Sequence, residues 1–165
     1  MSPRKLFKIA PAGVVSIMLS SVIQGAMFGM GAVYASNAGM SVSQTAVFMS
    51  IFIALGAFSH WPLGWLSDQI VRRIVVVGAS FVAFILALIL LDIDNRSTTF
   101  IIVYGLLGAM VLPIYSLGVA HTNDRLRPDQ MTNASSTIVL LYGIGATIGP
   151  ISVGYILNIY GNNFS

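Results

Sequence analysis

The distribution of positive charge constrains this chain more than any other feature of its sequence. Seven of its eight lysines and arginines fall in three short gaps between long apolar runs, and the gaps that alternate with these are almost uncharged. Only Arg96 breaks the alternation. The basic gaps hold Arg4, Lys5, Lys8, Arg72, Arg73, Arg125 and Arg127. Basic residues concentrate in cytoplasmic loops, so the pattern predicts a multi-pass protein of a plasma membrane, such as the bacterial inner membrane, with its N-terminus in the cytoplasm and its C-terminus outside.

Five apolar runs are long enough to cross a bilayer, since roughly 20 helical residues span about 30 Å of hydrocarbon. The predicted spans are residues 12–35, 43–66, 74–91, 98–121 and 131–157. The chain is 56% hydrophobic and 8% charged, whereas about 25% of the residues in soluble domains are charged. The sequence therefore predicts an all-α membrane protein in which residues 1–165 form a single transmembrane domain.

Other classes of protein fit this sequence less well. The first apolar run continues to Ala35, beyond the roughly 7 to 15 apolar residues of a signal peptide, and four more spans follow it. The basic residues lie at membrane boundaries, without the clustered basic face that binding to nucleic acid needs. Cysteine is absent, and no motif of a metalloprotease, an esterase or an ATP-driven pump occurs. We therefore expect no enzymatic activity, no metal, no cofactor and no nucleic-acid partner.

The gap between the second and third spans carries a specific motif, Gly64-Trp65-Leu66-Ser67-Asp68-Gln69-Ile70-Val71-Arg72-Arg73. It resembles the signature loop of the major facilitator superfamily, G-x-L-(A/S)-D-(R/K)-x-G-(R/K)-(R/K), which joins the second and third helices of each half. Gln69 and Val71 depart from the pattern, and such a degraded copy is more usual in the second half of the family. The resemblance implies a gating role for the loop, carried by Gly64, Asp68, Arg72 and Arg73.

Simple electrostatics gives the charged residues of this loop a compatible role. Asp68 would gain from the positive N-terminus of the third helix. Arg72 and Arg73 would reach either lipid phosphates or the end of another helix.

The fifth span and the gap before it carry a second resemblance. Residues 142–154 look like the G-x-x-x-G-P segment in the fifth helix of a facilitator half, and residues 121–129 are similar to the loop before the eleventh helix in drug-efflux-like members. Together the resemblances imply helices seven to eleven, in the C-terminal half of a permease whose missing N-terminal half completes the substrate site. Asn162, Asn163 and Phe164 would then begin a twelfth helix, and the chain would be a fragment of a longer permease or a split or truncated gene product.

Small residues predict where the helices pack against each other. Two pairs have the small-xxx-small spacing that lets backbones approach closely in lipid, Gly25 with Gly29 and Gly145 with Gly149. Pro150 and Gly154 follow the second pair. Prolines inside the spans each remove a backbone hydrogen bond, and we expect a kink at Pro62, Pro113 and Pro150.

Few polar side chains lie at membrane depth, and none of them is acidic. By analogy with the family, in which the first, second, fourth and fifth helices of each half line the cavity, they would contact substrate. They are Gln24, Tyr34, His60, Tyr104, Tyr115 and Tyr142. The spacing of Tyr104 and Tyr115 places both on one stripe of the fourth span. Each residue also has a plainer role, since tyrosines pack or anchor at the membrane interface and His60 could bond a carbonyl on a neighbouring helix.

These observations predict secondary active transport of a small solute by alternating access, powered by a gradient, as part of a larger facilitator permease. Its expected partners are the solute, the lipid bilayer and the missing N-terminal half. The alternative is a membrane protein that does not transport, either a decayed gene fragment or a helical assembly subunit.

Overall fold

The fold is built from helices. The computed structural model describes residues 1–95 and 97–161, so Arg96 and the predicted start of a twelfth helix at residues 162–164 lie outside the described residues. The helices are α1 (Pro3–Ile9), α2 (Pro11–Asn37), α3 (Val42–Gln69), α4 (Arg72–Asp92), α5 (Thr98–Asn123) and α6 (Pro128–Gly161). In the described part of the chain, α2 to α6 are long and apolar enough to cross a membrane. This confirms the prediction of an all-α membrane protein with five spans.

The N-terminal segment differs from the prediction, because the basic lead-in forms the short helix α1. The Ser2 side chain caps it by accepting a hydrogen bond from the Lys5 backbone N–H. Leu6 is fully buried and belongs to the same apolar cluster as Leu126 and Ile138. Burial of this one side chain therefore ties α1 to the ends of the longer helices.

Local sequence sets the ends of the longer helices. Pro11 begins α2, where its missing N–H costs nothing because the first helical N–H groups have no partner within the helix. A capping box begins α3: the Ser41 hydroxyl accepts from the Gln44 N–H, and the Gln44 side chain accepts from the Ser41 N–H. Ser97 caps α5 with a single bond, in which its hydroxyl accepts from the Phe100 N–H.

Helices α2 and α5 form the centre of the bundle. Helix α6 packs along α2, α3 packs along α5, the two central helices contact each other, and α4 lies against α5. The basic gaps of the sequence meet at one end of this bundle, which we call the basic end, where Arg72 of α4 contacts Asp124 beyond α5. The opposite end carries the loops before α3 and α5.

The glycine pairs lie in the contact between α2 and α6. A Cβ atom added to Gly25 would overlap the backbone of Ala146, and one added to Gly149 would overlap the carbonyl oxygen of Val22. Gly29 faces Pro150 in the same contact. A Cβ on Gly145 would overlap the Ser21 hydroxyl in the same contact, whereas one on Gly154 would only touch Met30.

The three prolines inside the spans interrupt no helix. Pro62, Pro113 and Pro150 lie within α3, α5 and α6, each of which is continuous. The kinks expected at these prolines stay a prediction.

Much of the apolar surface faces outward, as a protein surrounded by lipid requires. Helix α4 is the extreme case: its most apolar window has a mean hydropathy of 3.1, yet only 17% of that window is buried inside the structure. The buried residues of α4 are the small or short side chains Val75, Ala79 and Ala83, which share one face. Helix α4 therefore packs through one narrow face and leaves the rest of its apolar surface for the membrane.

Candidate functional site

Three helix ends meet around Arg72 at the basic end. Its Nη2 atom lies 2.9 Å from Oδ1 of Asp68, in the last turn of α3, and its Nε atom lies 2.7 Å from Oδ2 of Asp124, the C-cap of α5. Its Nη1 atom also donates to the Ser67 hydroxyl at 3.4 Å. We call Asp68, Arg72 and Asp124 the charge network. Because each member belongs to a different helix end, the network ties α3, α4 and α5 together.

The geometry of this network adds specific partners to the electrostatic expectation. The N-cap of α4 is Val71, which makes no side-chain capping bond, and the carboxylate of Asp68 pairs with Arg72 in the first turn of the helix. The expected gain from the helix N-terminus stays a prediction. Arg72 reaches the end of another helix, α5, through Asp124. This is one of the two contacts that were expected for it. Sequence reasoning did not identify Asp124 as its partner, although an acidic residue directly after the fourth span on the basic side was the available signal.

A cavity of about 190 Å³ lies beside the network, between α3 and α5. His60, Gly64 and Ser116 line it together with Asp68 and Arg72. The His60 Nδ1 atom lies 2.7 Å from the carbonyl oxygen of Gly56, one turn earlier in its own helix. His60 therefore bonds its own helix, and its ring lines the same cavity as Asp68 and Arg72.

A second group of the predicted residues meets at the middle of the spans. Gln24 is only 5% exposed, and its Nε2 atom donates to the carbonyl oxygens of Val111 and Leu112 on α5 at 3.5 and 3.4 Å. Its Oε1 atom accepts from the Tyr142 hydroxyl at 3.4 Å. The ring of Tyr142 meets that of Tyr115 edge-on, with 4.8 Å between centroids. We call Gln24, Tyr115 and Tyr142 the central cluster, which joins α2, α5 and α6.

A third group lies toward the opposite end. The ring of Tyr104 stacks on that of Phe48, with 3.8 Å between centroids, and Phe100 stacks with both Phe48 and Tyr34 at 6.1 and 6.2 Å. The Tyr104 hydroxyl donates to the sulfur of Met27 at 3.6 Å. Tyr34 and Tyr104 also line a largely apolar cavity of about 280 Å³.

The structure does not bring Tyr104 and Tyr115 into one group, although their spacing placed them on one stripe. Tyr104 packs on rings of α3, whereas Tyr115 contacts α6. Pro113 lies between them in α5. The predicted path residues therefore form separate sites at the basic end, the centre and the opposite end.

No group of three or more histidine, aspartate or glutamate side chains able to hold a metal ion occurs within residues 1–95 and 97–161.

Comparison with known proteins gives one consistent result. A family model described as the Major Facilitator Superfamily matches residues 5–164. The chain is 25% identical over 154 residues to a protein named Uncharacterized MFS-type transporter YcaD from Escherichia fergusonii. This alignment covers 93% of this chain and 39% of that protein. It is 24% identical over 161 residues to Uncharacterized MFS-type transporter Ent638_1421 from Enterobacter sp. strain 638. This second alignment covers 98% of this chain and 41% of that protein.

A protein with the same YcaD name from Salmonella arizonae is 23% identical over 154 residues, with 93% of this chain and 39% of that protein covered. The chain thus spans about two fifths of the length of these curated relatives. No solved structure shows a significant match to it.

Proposed function

The chain belongs to the major facilitator superfamily, and from this premise we propose that it supplies helices seven to eleven of a secondary transporter that moves a small solute by alternating access. Helices α2 to α6 would be five of the six spans of the C-terminal half. Two features of the sequence support this position: the degraded form of the signature loop, with Gln69 and Val71, and the Gly145 to Pro150 segment of the last span. The resemblance of residues 121–129 to the loop before the eleventh helix in drug-efflux-like members also supports this position.

The charge network is the observation that carries this proposal. In the conformation described, Arg72 holds together the ends of α3, α4 and α5 through Asp68 and Asp124. A contact that exists in only one of two conformations shifts their balance by its whole free energy. We propose that the network forms when the transporter is closed at the basic end and breaks when it opens there.

The central cluster is the proposed place of solute contact. Substrate sites of these transporters lie near the bilayer midplane, and Gln24, Tyr115 and Tyr142 bring an amide, two hydroxyls and two aromatic rings to that depth. His60 would line the route toward the basic end, and Tyr34 and Tyr104 the route toward the opposite end. No aspartate, glutamate, lysine or arginine lies deep in a span of this chain, so a midplane carboxylate for proton coupling would have to lie in the N-terminal half.

An aromatic face of α3 is the surface that we assign to the N-terminal half. Phe58, Trp61 and Trp65 follow i, i+3, i+7 spacing and therefore share one side of the helix. They are 74%, 79% and 61% exposed. Large aromatic side chains of this kind are enriched at protein–protein interfaces and at the membrane–water interface.

The orientation follows from the basic end. Because basic residues concentrate in cytoplasmic loops, we propose that Met1 and the charge network lie in the cytoplasm of the cell and that the loops before α3 and α5 lie outside. The bacterial inner membrane is the proposed location, in keeping with the organisms of the relatives.

Transport by reconstituted protein tests this proposal. The complete permease, in which this chain is joined to or co-expressed with its natural upstream segment, and the chain alone are inserted into liposomes and given a panel of solutes across a proton or sodium gradient. We expect saturable, gradient-driven movement of at least one solute by the complete permease and none by the chain alone. Equal transport by the chain alone would contradict its role as part of one half. Absence of transport by both, with insertion verified, would favour the non-transporting alternative.

A further inference from the structure

A cavity of about 450 Å³ opens at the basic end between α2, α4 and α5. It is separate from the charge network and from the central cluster. Two arginines and a histidine line it, Arg73 near the start of α4, His121 in the last turn of α5 and Arg125 just beyond α5. We call it the basic cavity.

The two arginines of the basic cavity are not ion-paired within residues 1–95 and 97–161. Arg72, the neighbour of Arg73 in sequence, is paired with both Asp68 and Asp124. In contrast, neither Arg73 nor Arg125 forms an ion pair with any residue that the structure describes. The cavity therefore presents two guanidinium groups, whose planar donors match the oxygens of a phosphate.

A buried histidine nitrogen and the starts of two helices lie at the same place. The Nε2 atom of His121 is buried and has no hydrogen-bond partner within residues 1–95 and 97–161. Helices α2 and α4 both begin beside the cavity, at N-caps Ala10 and Val71 that make no side-chain capping bond, and neither has an acidic residue in its first turn. The free N–H groups and positive ends of two helices thus add to the attraction for an anion.

Apart from Ser16, the rest of the cavity wall is apolar, which points to a lipid. Val15, Val76 and Val77 line it one turn deeper than the arginines, and Val15 and Val77 are 43% and 61% exposed. An apolar wall offers no favourable contact to a soluble anion, whereas an acyl chain can pack against it. We infer that the basic cavity binds the phosphate of an anionic phospholipid, with the first part of its acyl chain along Val15 and Val77. Basic pockets between membrane helices on the cytoplasmic side bind anionic headgroups in this manner.

Lipid binding to purified protein tests this inference, and it needs no knowledge of the transported solute. The complete permease is purified in detergent and titrated with fluorescent phosphatidylglycerol, with phosphatidylcholine as a zwitterionic comparison and inorganic phosphate as a soluble source of the same group. The variants are Arg73→Gln and Arg125→Gln. Arg127→Gln is the matched control, because the Arg127 side chain is 74% exposed, pairs with Asp129 and does not line the cavity.

We expect wild-type protein to bind phosphatidylglycerol more tightly than phosphatidylcholine, and each cavity variant to lose about fivefold in affinity for phosphatidylglycerol. Arg127→Gln should bind like the wild type. Unchanged affinity in both Arg73→Gln and Arg125→Gln would overturn the site. Complete displacement of the lipid by an equal concentration of inorganic phosphate would overturn the lipid as its occupant. If Arg73→Gln fails to fold, Arg125→Gln carries the test, since Arg125 lies beyond the end of α5.

Discussion

Arg72 and Asp124 form the ion pair that joins the start of α4 to the end of α5, with 2.7 Å between Nε and Oδ2. The side chain of Arg72 is 26% exposed and that of Asp124 is 52% exposed. Because both side chains are partly exposed, water screens the pair and its contribution to folding is small. The pair can still decide between two conformations of similar free energy.

The coupling between these two residues can be measured by a double-mutant cycle with Arg72→Gln and Asp124→Asn. We expect an interaction free energy of about 0.5 to 1 kcal/mol in the unfolding of the purified protein. The pair Arg127 and Asp129 provides the matched control, because its side chains are 74% and 66% exposed. Its coupling should lie closer to zero. Equal coupling in the two pairs would mean that the Arg72 contact is an ordinary surface ion pair.

Substitution at Gly149 should loosen the contact between α2 and α6. A Cβ there would overlap the Val22 carbonyl oxygen, which is backbone and cannot rotate away. Gly149→Ala should therefore destabilise the protein by about 1 to 3 kcal/mol, measured as a fall in the thermal unfolding temperature. Gly143→Ala is the control, because nothing lies within 4 Å of its added Cβ. Helix propensity alone should make that variant neutral or slightly more stable. A Gly149→Ala protein as stable as Gly143→Ala would contradict the close packing of these helices.

Gln24→Leu should separate a role in transport from a role in folding. The hydrogen bonds of Gln24 measure 3.4 to 3.5 Å, and bonds between membrane helices average about 0.6 kcal/mol. The unfolding free energy should therefore change by less than about 1 kcal/mol, whereas transport by the complete permease should fall several-fold. Thr147→Val is the control, because within residues 1–95 and 97–161 the Thr147 hydroxyl bonds its own helix, at Gly143. Normal transport by Gln24→Leu would remove the central cluster from the solute path.

The proposed orientation can be checked with reporters. A reporter that is active only in the cytoplasm should be active when fused before Met1 and silent when fused after Ser165, since an odd number of spans separates the two ends. A reporter that is active only outside the cytoplasm should give the reverse. Strong cytoplasmic activity after Ser165 would require an even number of spans and would break the assignment of α2 to α6.

The five spans were predictable because lipid requires long, continuous apolar helices. Such helices appear in the sequence as apolar runs of spanning length. Helix α1 was not predicted: it has only seven residues, and its position depends on the burial of Leu6 against residues distant in sequence, such as Leu126. No local pattern carries that information.

The candidate site was predictable only where a motif marks it. The loop pattern identified Asp68 and Arg72, but the partner Asp124 depends on where α5 ends relative to α4, which is a matter of packing. Likewise, helical spacing placed Tyr104 and Tyr115 on one stripe, but the neighbours that they meet are set by α3 and α6. The basic cavity was missed because Arg73, His121 and Arg125 come together only in the folded bundle.

Transport by the complete permease carrying Asp68→Asn tests the central claim most directly. Asparagine keeps the size of the side chain but removes the charge that pairs with Arg72, so the balance between the two conformations should shift. We expect transport to fall several-fold while abundance and membrane insertion stay nearly unchanged, and we expect Gln69→Arg, which restores the family pattern, to be tolerated. Normal transport by Asp68→Asn at normal abundance would contradict the gating role of the charge network.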